Sequence, residues 1–121
     1  MITKKRVAVV GSRGFVNYAQ LSKVLSEYIE YEDELVSGGA IGVDSMAQRW
    51  AREHGHAIHI YYPRWENGRS AGFERNKRIV ENADIVLAFY QVGRFQQGGT
   101  ANTAMWANKL GVPLYEYEEE I

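Results

Sequence analysis

Three times along this chain a short apolar run breaks into a glycine-bearing turn and then into a helical pattern. The fullest case is Ser37-Gly38-Gly39-Ala40-Ile41-Gly42-Val43-Asp44, which follows Leu35 and Val36. Beyond it Val43, Met46, Ala47, Trp50 and Ala51 fall at i, i+3, i+4, i+7 and i+8, the stripe of a helix with one buried face. Strands that alternate with helices in this way build a parallel sheet covered by helices, with right-handed crossovers. Each turn also gathers unpaired backbone N–H groups at the positive end of a helix dipole, which suits a phosphate. A tight strand–helix turn without a ligand uses the same residue types.

In chain order, residues 6–10 form a near-continuous apolar run, the mark of a strand covered on both faces. They lead into Gly11-Ser12-Arg13-Gly14-Phe15 and a helix striped by Leu21, Val24, Leu25, Tyr28 and Ile29, with Asn17 as its N-cap. Strand two (34–36) delivers the central turn, and Gly55 ends the helix after it. Strand three (57–61) opens into a longer polar loop, 62–72, and a helix from about Phe73. Strand four (84–89) precedes Gln97-Gly98-Gly99-Thr100 and a helix with Ala101, Ala104 and Ala107, stopped by Gly111 and Pro113. Strand five covers 112–115, and the acids Glu116, Glu118, Glu119 and Glu120 are expected to be solvated. The prediction is one Rossmann-like α/β domain over 1–121, a doubly wound, mainly parallel five-stranded sheet with helices on both faces. In such sheets ligands bind beyond the carboxyl ends of the strands, near the switch in strand order. All three glycine turns fall on that rim.

A chain of 121 residues can bury roughly two-thirds of its unfolded surface. With 14 Lys and Arg against 15 Asp and Glu, the formal charge of −1 disfavours nucleic acid as a partner. There is no cysteine, so thiol catalysis and disulfides are excluded. No signal peptide or membrane span is legible, and a cytosolic protein is expected.

Among charged residues, Arg69 and Arg75 are the leading phosphate ligands, since a guanidinium holds phosphate through paired N–H donors. A solvated arginine or an ion pair with Glu74 or Glu81 is the alternative. Arg13 sits inside the first glycine turn, where a structural need for arginine is hard to find. Ser12, Ser37 and Thr100 can donate to phosphate or ribose oxygens, or cap a turn. Asp44 fits a cap or a ribose contact better than a place beside a phosphate, and Glu74 is the other carboxylate near the rim. Should the chain hydrolyse a glycosidic bond, Asp44, Glu74 and Arg75 would be the catalytic candidates. Trp65, beside Tyr61 and Tyr62, could stack on a base or pack under its loop. His54, His56 and His59 have no ligand spacing, so no metal is expected.

Four motifs taken together resemble the SLOG superfamily, the Rossmann-like group that contains the DNA-uptake protein DprA/Smf and the "Lonely Guy" phosphoribohydrolases. They are Val9-Val10-Gly11-Ser12-Arg13, Ser37-Gly38-Gly39-Ala40-x-Gly42-x-Asp44, Gly68-Arg69-Ser70-Ala71-Gly72-x-x-Arg75-Asn76 and Gly99-Thr100. The match is to the small YspA-type, YpsA-related bacterial and phage branch. The resemblance implies a nucleotide or nucleotide-sugar ligand (ADP-ribose, NAD or a nucleoside monophosphate), its phosphate held by the glycine turns; no cofactor is expected. Relatives of this type are often dimers. Arg75 matches an arginine of the phosphoribohydrolases, but their catalytic glutamate position is occupied by Thr103, which cannot act as a carboxylate. Three functions follow: a nucleotide sensor or sequestering protein, an N-glycosidic hydrolase, and a single-stranded DNA binder.

Overall fold

The computed structural model describes residues 4–121. Its elements run β1 (Arg6–Gly11), α1 (Tyr18–Tyr28), β2 (Glu34–Ser37), α2 (Val43–His54) and β3 (Ile58–Ile60), followed by a short 3-10 turn (Trp65–Asn67). They continue with α3 (Ala71–Glu81), β4 (Ile85–Tyr90), α4 (Gly98–Leu110) and β5 (Leu114–Glu118). All five strands are parallel, in the order β3-β2-β1-β4-β5. This is the Rossmann-like arrangement expected from the sequence. The order reverses at β1, so the loops after β1 and β4 part company at the carboxyl edge and leave a crevice between them.

Side-chain alternation along β1 explains why both faces are covered. Val7 and Val9 point into a core with Leu21, Leu25, Val43, Ala47 and Trp50 of α1 and α2. Ala8 and Val10 point the other way, against Ile79 and Val80 of α3 and Ala107 of α4. Every one of the β1 residues from Val7 to Val10 is buried. Small residues let α4 pack closely: Ala107 joins the core on this face of the sheet, with Thr100, Thr103 and Ala104 also buried. Among the described residues no helix is long and apolar enough to cross a membrane.

Caps behave as the sequence predicts. The Asn17 side chain accepts the Gln20 N–H at 3.0 Å, and α2 and α4 end on left-handed Gly55 and Gly111. Two expectations need correction. Helix α3 starts at Ala71, two residues before Phe73, because the 3-10 turn shortens the preceding loop. The acidic tail is not free in solvent. β5 runs on to Glu118, Glu116 accepts the Tyr90 hydroxyl at 2.6 Å, and Glu119 accepts backbone N–H groups of two loops. Carboxylates find these donors because loop backbone left unpaired near the surface needs acceptors.

Candidate functional site

A cleft of about 570 Å³ opens at the carboxyl edge of the sheet, within the range of small-molecule sites. The loop after β1 brings Gly11, Ser12, Arg13 and Gly14 to it, and the loop after β2 brings Gly38, Gly39 and Ala40. Helix α3 adds Arg75 and Asn76; the start of α4 adds Gly98, Gly99, Thr100 and the buried Thr103. Trp65 and Tyr62, two-thirds exposed, stand at its rim.

Two helix N-termini meet the cleft and differ in chemistry. The first turn of α2 carries the acid Asp44. Asp44 accepts the Ala40 N–H at 3.0 Å, and the Val43 N–H faces Ser12 O at 3.4 Å. Gly42 makes the turn possible: its φ of +78° is hostile to a side chain, and a Cβ there would strike the carbonyls of Ser12 and Arg13. No side chain caps either helix, but the first turn of α4 carries no acid. Its leading N–H groups therefore remain for solvent or a ligand. Gly99 is informative here, because its φ is ordinary and a Cβ would meet nothing within 4 Å. The fold does not require glycine at this point.

Asp44 is buried beneath the turn. Ser37 Oγ lies 3.0 Å from its Oδ1 and 2.8 Å from Val9 O. A hydroxyl has one proton for these two acceptors, so a proton on Asp44 would satisfy all three groups. Burial pushes the Asp44 carboxyl up from its usual 3.8, opposed by the Ala40 and Ser37 hydrogen bonds and by the charge of Arg75. Arg75 is half-buried and partly committed to the protein. Its Nη1 donates to Gly38 O at 2.7 Å and Tyr61 O at 3.3 Å, and its Nε donates to Asn76 Oδ1 at 3.0 Å. Asn76 passes the connection to α4 by donating to Gly99 O at 3.3 Å and Asn102 Oδ1 at 3.1 Å.

Of the residues singled out in the sequence, Gly11, Ser12, Arg13, Asp44, Trp65, Arg75 and Asn76 line this cleft, as do Gly38 to Ala40 and Gly98 to Thr100. Ser37, Gly42, Arg69, Ser70 and Glu74 do not. Ser37 and Gly42 lie behind the lining as supports. Arg69 and Ser70 are exposed ahead of α3, where Ser70 donates to Glu74 at 3.3 Å. Gln91 and Arg94 of the loop after β4, not among the sequence candidates, also line the cleft, as does Gln97 at the head of the third glycine turn. Their only sequence signal is positional: they follow a central strand at the switch point.

An all-parallel sheet in Rossmann-like order, with glycine turns converging on a cleft at the switch point, places the chain among the Rossmann-like α/β proteins. The sequence profile of the YspA, cpYpsA-related SLOG family matches residues 5–68. The Gene 61 protein of Mycobacterium phage D29 is 32% identical over 126 aligned positions, covering 96% of this chain and 98% of that protein. No solved structure matches. The chain belongs to the YspA, cpYpsA-related SLOG family.

Proposed function

We propose that this protein binds a phosphorylated nucleoside or nucleotide-sugar, of the ADP-ribose, NAD or nucleoside monophosphate type, and holds it without turnover as a sensor or sequestering protein. The observation that carries this reading is the N-terminus of α4, open to the cleft, uncapped and free of acids. A phosphate there gains the helix N-H groups and dipole. Arg13 and Arg94 stand on the two loops that flank it and supply charge. Trp65 and Tyr62 offer a base an exposed aromatic surface on the cleft lining.

Storage is favoured over hydrolysis by the carboxylates. Among the described residues Asp44 alone brings a carboxyl to the cleft lining, and it is held by Ala40 and Ser37. Thr103 offers no proton acceptor of carboxylate strength, and Glu74 lies outside the lining. Cleavage at an anomeric carbon needs a group to activate water or stabilise an oxocarbenium-like centre.

Incubation with ADP-ribose, NAD, AMP and cyclic nucleotides, followed by mass spectrometry of bound and free fractions, tests the reading. Intact ligand in the bound fraction is expected. Free base with ribose phosphate in the supernatant would make the protein a hydrolase. No retention of any nucleotide would remove the phosphate role of the glycine turns.

A further inference from the structure

The end of β5 is wired into the loops that form the cleft. Glu119 Oε2 accepts the backbone N–H of Val16 at 2.7 Å and of Asn17 at 2.9 Å, in the segment that leads from β1 to α1. Its other oxygen faces the N–H of Val92 at 3.4 Å, in the loop after β4, and Glu118 accepts from Gly93 at 3.2 Å. The acid is itself held in place. Glu119 N donates to Tyr90 O at 2.7 Å, Asn17 Nδ2 donates to Glu120 O at 3.0 Å, and Glu120 N donates to Gln20 at 2.8 Å. The same two loops also touch directly, where Gln91 N donates to Ser12 Oγ at 3.0 Å.

None of the residues from Glu118 to Glu120 lines the cleft, yet Arg13 and Gly14 of one loop and Gln91 and Arg94 of the other do. A carboxylate suits this place because it offers two oxygens that only accept, and three backbone donors converge on it. We infer that Glu119 is a positioning residue: it ties the loop after β1 to the loop after β4 and so sets the spacing of the cleft's two walls at the switch point. Its consequence for affinity rests on the nucleotide reading above, whereas the tie does not. Walls held apart at a set distance do not have to be ordered by the ligand, and that saving appears as tighter binding.

The test compares the full chain with Glu119→Ala and Glu119→Gln, by residue-resolved amide hydrogen exchange and by titration calorimetry with ADP-ribose as probe. In Glu119→Ala, exchange should quicken at least tenfold at Val16, Asn17 and Val92, and also at Phe15 and Arg94, whose N–H groups are bonded within the two loops, with Val9 and Leu87 of the sheet within twofold of wild type. Glu119→Gln keeps a single accepting oxygen, so Val16 and Asn17 should stay protected while Val92 is released. ADP-ribose affinity should fall at least fivefold in Glu119→Ala. Unchanged loop exchange, or equal acceleration throughout the sheet, overturns the tie; loosened loops with unaltered affinity overturn the positioning role. A wild-type chain that ignores ADP-ribose counts against the nucleotide reading, while the exchange pattern still decides the tie.

Discussion

Gly42 and Gly99 both stand at the mouth of a helix, but for different reasons. A side chain at Gly42 would combine a φ of +78° with collisions against two carbonyls, so Gly42→Ala should destabilise by about 1–3 kcal/mol in urea unfolding. Gly99 has neither constraint. Gly99→Ala should leave stability unchanged or raise it by up to about 1 kcal/mol, while nucleotide affinity drops at least tenfold because the methyl group enters the cleft. Retained affinity in that variant would move the phosphate away from α4. Asp44 makes a second prediction at this scale. Its folded pKa is raised above the usual 3.8 by burial, so the folded chain holds this proton more tightly than the unfolded one. Its contribution to stability is therefore complete below about 3.8, falls as pH rises toward the folded value, and is level above that. Urea unfolding of wild type and Asp44→Asn across this window should show the wild type losing ground to the variant as pH rises; parallel curves would place the charge elsewhere.

At the scale of elements, Arg75 joins three pieces: α3 carries it, its guanidinium holds the turn after β2 through Gly38 O, and Asn76 beside it holds the start of α4. Read from the sequence alone, Arg75 is a leading phosphate ligand, with no structural partner but Glu74 or Glu81 in view. The hydrogen bonds alter that expectation. Arg75→Ala should weaken nucleotide binding at least tenfold and also lower stability by about 1–3 kcal/mol, since a charged donor to buried carbonyls is lost. Chemical denaturation and calorimetry on one preparation separate the two effects; full stability with weakened binding would return Arg75 to a pure ligand role. The reason this was not legible is local. The sequence shows Arg75 next to a glycine-rich loop, but the carbonyls it meets belong to residues 37 and 14 positions away.

Across the whole molecule, the two cores share β1, β2 and β4, whose alternate residues serve opposite faces. One cooperative unfolding transition is therefore expected, with circular dichroism and tryptophan fluorescence coinciding, as Trp50 and Trp106 lie on opposite faces of the sheet. Two separated transitions would divide the chain into independent units. A formal charge of −1 also predicts that any single-stranded DNA binding is weak at physiological salt; tight binding that falls steeply with salt would reopen that function. The alternation of apolar runs and helical stripes, the glycine turns on one rim and the caps at Asn17, Gly55 and Gly111 were determined by the sequence itself. Apolar periodicity, glycine backbone freedom and capping act over a few neighbouring residues, where a sequence can be read directly. Only the tertiary structure decided that β4 lies beside β1, that Arg94 faces the same cleft as Arg13, and that Glu119 reaches Val16 across 103 positions. Such contacts arise from strand order and packing between distant segments, and no local pattern records them.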